Sequence, residues 1–273
     1  VNLVNDDHVS VRSGRSRTLP FLFFTALAAP FTASCSSSNG NEAASNAQVL
    51  DPTQPHDGHT DAEWGALWWK WIYELPQTAN DAGRPNCIIP FQDPTGENCA
   101  VGQSGDVFFL AGASGGTVVR DKCVVPSGKA IFFPIVSFAF DNGGVPATMQ
   151  SSDSALMGVV QTQMAGVSVA GLSAEFDGLP IANLGSFATP ATKFSYTLPP
   201  EPNNYTCEGA TGVTGVIDPS YAAGYFVMLP PPAPGAHVLH FKATSSPTHA
   251  PAMVNGLWDL GGVEDVTYHF TVQ

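Results

Sequence analysis

Between Gly102 and Phe140 the chain reads GQSGDVFFLAGASGGTVVRDKCVVPSGKAIFFPIVSFAF, two long apolar runs around a glycine-rich turn and a short charged corner. Residues 107–111 are continuously apolar between glycines, 117–120 follow Gly115-Gly116, and 130–136 follow the turn Pro126-Ser127-Gly128-Lys129. Short apolar runs bounded by turn residues predict buried strands. Further on, 167–176 runs into Asp177-Gly178, a tight-turn pair, and 179–184 returns antiparallel. Segments 193–198, 224–229 and 237–243 predict three more strands, the last two separated by the stiff proline-rich stretch 230–235. In 265–272 the alternation is strict, with Val266, Tyr268, Phe270 and Val272 facing in and Thr267, His269 and Thr271 facing out.

Two segments follow the helical period instead. Thr60-Asp61-Ala62-Glu63 is a capping box before WGALWWKWIYEL, where Trp64, Leu67, Trp68, Trp71, Ile72 and Leu75 form one stripe that ends at Pro76. Trp69 and Tyr73 lie off that stripe, four apart. They are candidates for an exposed aromatic platform that would meet a sugar ring or a partner protein; the alternative is packing beneath a loop of the same domain. Residues 152–165 predict a second, short helix capped by Ser152 or Ser154. Many short strands, Gly/Pro turns and few helices predict a mainly β fold, an antiparallel β-sandwich of jelly-roll or immunoglobulin-like topology with an N-terminal Trp-rich amphipathic helix.

The N-terminal region changes the picture. Arg12, Arg15 and Arg17 precede the apolar run 19–29, which is too short for a permanent span and is expected to be a secretory signal. It ends in Ala33-Ser34-Cys35, followed by a Ser/Asn-rich stretch. This resembles the lipobox of bacterial lipoproteins, which implies cleavage after residue 34, lipidation of Cys35 and anchoring to a cell-envelope membrane, outer or surface, through the acyl chain. Residues 1–34 are then a signal peptide, 35–59 a flexible tether without periodicity, and 60–273 a single domain. Loss of 1–34 removes Arg12, Arg15, Arg17, Asp6 and Asp7, leaving 7 basic against 21 acidic residues, a net charge of −14. So acidic a chain offers a polyanion nothing, which argues against nucleic acid as a partner and against electrostatic adhesion to anionic lipid. With 44% apolar and only 12% charged residues it still has enough to bury a large core.

Of the five cysteines, lipidation of Cys35 leaves Cys87, Cys99, Cys123 and Cys207, an even set in an exported chain. Two disulfides follow, with three possible connectivities. The preferred one joins Cys99 to Cys123, just outside the ends of an expected 107–120 hairpin, and leaves Cys87 for Cys207.

Candidate chemistry is sparse. Gly112-Ala113-Ser114-Gly115-Gly116 matches G-x-S-x-G, but a nucleophile elbow needs a strand entering a helix, so Ser114 is expected to be a turn residue. His56 and His59, flanked by Asp57 and Asp61, are the nearest approach to a metal pair; no third ligand is evident and no cofactor is implied. His240 and His269 could share an outer sheet face. The acidic loops at 93–98 and 141–144 lack the spacing of a calcium loop and are expected to be turns. GQSGDVFFLAG, the run from Arg120 to Ile135, PGAHVLHF and DVTYHFTV together resemble a group of exported bacterial proteins of unassigned function, which implies export and a β-rich body but no activity. Two functions follow as expectations: a non-catalytic surface or periplasmic binding module for a glycan or protein, and, as the alternative, a secreted hydrolase that uses the acidic loops, with or without a metal ion.

Overall fold

A computed structural model describes residues 46–79, 85–245 and 262–273. The signal segment, Cys35 and the first part of the tether lie outside these residues. Helix α1, Asp61–Glu74, begins where the capping box places it: the Thr60 hydroxyl accepts the Glu63 N–H, and the Glu63 carboxylate accepts the Thr60 N–H at 2.8 Å. Its stripe buries Trp68, Trp71, Ile72 and Leu75.

The rest is mainly β. After the short pair β1 (Thr78–Ala79) and β2 (Pro85–Asn86) come β3 (Val107–Phe109), β4 (Gly116–Val125) and β5 (Ala130–Asp141). Helix α2 (Asp153–Ala165), capped by Ser152, leads to β6 (Ser173–Phe176), β7 (Leu179–Pro180) and β8 (Thr192–Leu198). One turn of helix, α3 (Asn204–Cys207), precedes the long strands β9 (Gly215–Leu229), β10 (Gly235–Ser245) and β11 (Gly262–Val272). These strands form a four-stranded sheet, β3-β5-β9-β8, and a five-stranded sheet, β4-β11-β10-β6-β7.

Both sheets contribute to one core, in which Phe133, Val227 and Leu229 of the first meet Leu239, Phe241, Val266 and Phe270 of the second. Helix α1 covers the opposite face of the four-stranded sheet, burying Phe132, Phe226 and Met228, so that β5 and most of β9 are apolar on both faces. The approach is close: a Cβ on Gly65 would lie 2.6 Å from the Phe226 ring. Helix α2 closes the far end of the same sheet over Phe140, Tyr221 and Ala223. Among the described residues the five-stranded sheet is covered on one face only, and β11 alternates as the sequence predicts.

Three expectations need correction. The hairpin over 107–120 does not form: β3 pairs with β5 and β4 with β11, in different sheets. Both pairings are parallel, at sheet edges, so the architecture is not wholly antiparallel. The tether also ends earlier than residue 59. Ala47 is buried and its N–H bonds Pro180 O at 2.9 Å; the Leu50 N–H bonds Met228 O at 2.8 Å. Single apolar anchors among polar residues leave no period, so the sequence hides this strap.

Disulfides Cys87–Cys207 and Cys99–Cys123 are present, with Cα separations of 5.8 and 5.6 Å. The pairing is the preferred one although the hairpin used to infer it is absent. Two structural disulfides place the chain in an oxidising, extracytoplasmic compartment. Among the described residues no helix is long and apolar enough to cross a membrane.

Candidate functional site: a buried arginine knot and the cavity beside it

Arg120 stands on the inward phase of β4, opposite Tyr268 of β11, and is wholly buried. Its Nε donates to Asp93 O (2.8 Å), Nη1 to Ala111 O (2.7 Å) and Tyr268 Oη (2.6 Å), and Nη2 to Gly112 O (2.9 Å) and Phe91 O (3.3 Å). The guanidinium has five N–H groups, and all are used. Tyr268 Oη in turn donates to Ala111 O and accepts the Ala111 N–H. Two residues on, Glu264 Oε1 accepts the Ala113 N–H at 2.7 Å. A Cβ on Gly112 would overlap that carboxylate, so glycine is required for the carboxyl to tuck beneath the loop. Burial pushes the Glu264 carboxyl up to about 8, against the opposing pull of the Ala113 N–H and the Arg120 charge. At neutral pH it is mostly protonated.

The knot holds residues 111–113 against the five-stranded sheet and away from β5. Strand β3 therefore pairs with β5 only over Ala130–Phe132, and the last bond in that direction is Leu110 N–H to Phe132 O. Beyond Phe132 a cavity of about 480 Å³ opens beside β5. Pro134, Val136, Ser137, Phe138, Ala139 and Phe140 all line it. Successive strand residues point to opposite faces, so a cavity touched by a consecutive run follows the strand's edge. Trp68, Trp69 and Tyr73 of α1 wall it on one side of the sheet; Gln163 of α2, the loop 112–116 and Glu264 line it from elsewhere. No lysine, arginine or histidine lines it among the described residues.

Trp69 is the unsatisfied tryptophan of its helix. The indole N–H groups of Trp64, Trp68 and Trp71 donate to the carbonyls of His56, Leu110 and Val101 at 2.8–2.9 Å, whereas that of Trp69 is buried without a partner. Its ring is fixed, edge-on to Trp68 and stacked on Tyr73, which stacks on Tyr196 at 4.4 Å. Below that stack the buried Asp141 carboxylate accepts from Tyr196 Oη (2.9 Å), Tyr205 Oη (2.6 Å) and the Gly143 N–H. Burial pushes the Tyr73, Tyr196 and Tyr205 hydroxyls upward, so all three stay neutral, and Tyr196 and Tyr205 donate to Asp141. The Cys87–Cys207 bridge holds α3, and so Tyr205, in this arrangement.

The expected aromatic platform is thus overturned in form. Tyr73 is buried and Trp69 partly so, and the pair forms a cavity wall because the Tyr73–Tyr196 stack covers the face the sequence leaves open. The structure sets His56 and His59 at the two ends of one tight turn. They join through reciprocal backbone bonds, His56 Nε2 lies 2.9 Å from Asp51 O, and the His59 ring packs edge-on against Trp64. No group of three or more His, Cys, Asp or Glu side chains suited to a metal ion occurs among the described residues. Ser114 is exposed in the turn at the cavity mouth, with no helix after it. His240 and His269 share the outer face of the five-stranded sheet but pair separately, with Asp265 and Asp121. Asp93 closes its own loop, accepting from Thr95 and Asn98 N–H groups.

Arg120 and Glu264 were not among the sequence candidates. The available signal was parity: Arg120 falls two residues after Val118, on the same face of a strand in a chain with little charge. No family model, curated protein or solved structure matches the chain.

Proposed function

We propose that this is an exported lipoprotein, moored at the cell envelope through an acylated Cys35, whose body is a β-sandwich of jelly-roll or immunoglobulin-like kind acting as a non-catalytic binding module for a glycan or protein. The observation that carries the binding role is the cavity beside β5, walled by the aromatic side chains of Trp68, Trp69 and Tyr73. An apolar cleft with a few fixed polar groups is the usual form of a ligand site. The disulfides support export. Intact-mass measurement of the native protein tests the anchor: the expected product starts at Cys35 with acyl mass added and four cysteines oxidised, and an unmodified Cys35 refutes it. Glycan-array and peptide-display screening of the soluble body, repeated with Trp69→Ala, tests the site; ligand binding that survives the substitution refutes it.

One observation favours the second reading, a hydrolase. Glu264 holds its proton at neutral pH and lines the cavity, the state required of a general acid. The second carboxyl lining the cavity, Glu208, is likewise pushed upward by burial and so is no ready ionised partner, and among the described residues no serine lining the cavity is paired with a base. Turnover of chromogenic glycosides or esters that is abolished by Glu264→Gln would establish catalysis and displace the binding reading.

A further inference from the structure

We propose that the open edge of β5 is a strand-acceptor site, where an extended peptide, uncharged or basic, adds to the four-stranded sheet in the place from which the Arg120 knot withdraws residues 111–113. This rests on the binding role above and narrows its ligand to a peptide.

The argument starts from the sheet. Strand β5 is 12 residues long, and β3 covers 3 of them. Among the described residues no strand pairs with that edge beyond Phe132. A free edge presents alternating N–H and C=O groups at the repeat of an extended chain, and native proteins normally block such edges. The block visible here is Pro134, which lacks an N–H and sits at a register shift in the β5–β9 pairing. From Val136 onward the edge borders the cavity.

Three further observations select the occupant. The unbroken lining run 136–140 extends roughly 16 Å at 3.3 Å per residue, the length of a five-residue strand. The walls on the two sides of the sheet come from different elements, with α1 on one face and α2 on the other, so alternate side chains of an added strand meet Trp69 and Ala139 or Phe138 and Gln163. No cation lines the cavity among the described residues, so an acidic peptide would go uncompensated; a neutral one needs no counter-charge, and a lysine would meet Glu208 and Glu264, whose ionisation it would favour. A glycan could use the aromatic wall but not the regular backbone edge.

The test is a display library of random nine-residue peptides panned against the full chain, followed by synthesis of the enriched sequence. Recovered peptides are expected to be rich in β-branched and aromatic residues and poor in Asp and Glu. In hydrogen–deuterium exchange, bound peptide should slow amides within 135–140 at least tenfold. Methylating one alternate set of peptide amides should weaken binding at least tenfold, and methylating the other set should leave it within about twofold, because only one set faces the acceptor strand. Equal losses from the two methylated sets, or unprotected 135–140 amides with peptide bound, overturn the strand-acceptor site. Glycan hits without peptide hits also overturn it while leaving the binding module standing; no hits of either kind remove both.

Discussion

Removing the Arg120 guanidinium leaves four carbonyls and the Tyr268 hydroxyl short of a donor inside the protein, and it leaves Glu264 without the nearby charge that opposes its protonation. Arg120→Met is therefore expected to destabilise the fold by about 3–5 kcal/mol in denaturant unfolding. Arg120→Lys should recover little of it, because an ammonium has three donors where five acceptors wait. Glu264 makes stability depend on pH. Its folded value of about 8 lies above the ordinary 4.5, so the folded state holds the proton more tightly than the unfolded chain. That contribution is complete below about pH 4.5 and is lost as pH rises to about 8. Glu264→Gln keeps an acceptor for the Ala113 N–H and cannot ionise. Unfolding free energies at pH 5, 7 and 9 should fall for the native protein and stay flatter for the variant, with a divergence on the order of a few kcal/mol. Residue-level chemistry was the least legible part of the sequence. The Arg120 side chain matters through carbonyls of residues 91, 93, 111 and 112, and carbonyls leave no trace in side-chain patterns.

At the scale of elements, α1 was legible because its cap, stripe and stop all act locally. Thr60→Ala removes the cap oxygen and should cost about 1 kcal/mol. Trp68→Ala empties the centre of the helix–sheet contact and strands Leu110 O, and should cost about 3–5 kcal/mol. A gap between the two, measured by thermal unfolding, would separate the capping from the packing contribution; equal effects would contradict the burial of Trp68. The strands of the C-terminal half were legible in kind, and β11 in its facing as well, since its cover is one-sided. The β3–β4 junction was misread for a physical reason. Adjacent apolar segments around Gly115-Gly116 satisfy every local rule for a hairpin, and only the buried groups of β4 and β11, far along the chain, decide that the two segments part. The aromatic pair Trp69 and Tyr73 shows the same limit: spacing places both off the buried stripe, but the Tyr196 ring that covers one of them comes from a strand more than a hundred residues away.

For the whole molecule, the two bridges divide the work unequally. Cys87–Cys207 spans a sequence separation of 120 and Cys99–Cys123 one of 24. By loop-closure entropy they contribute about 5 and about 3.5 kcal/mol respectively. Replacing Cys87 and Cys207 with serine should therefore lower the denaturation midpoint more than replacing Cys99 and Cys123; the reverse order would mean that local geometry at the Arg120 loop outweighs chain entropy. The strap at residues 46–50 has a mechanical corollary. A pull on the preceding residues enters the body first at the Ala47–Pro180 bond, beside the short β6–β7 hairpin, and then at Leu50–Met228 on long β9. Traction from that end is thus spent on a weak outer clasp before it reaches the backbone of the larger strands, so the protein gives a little at that end without deforming the cleft.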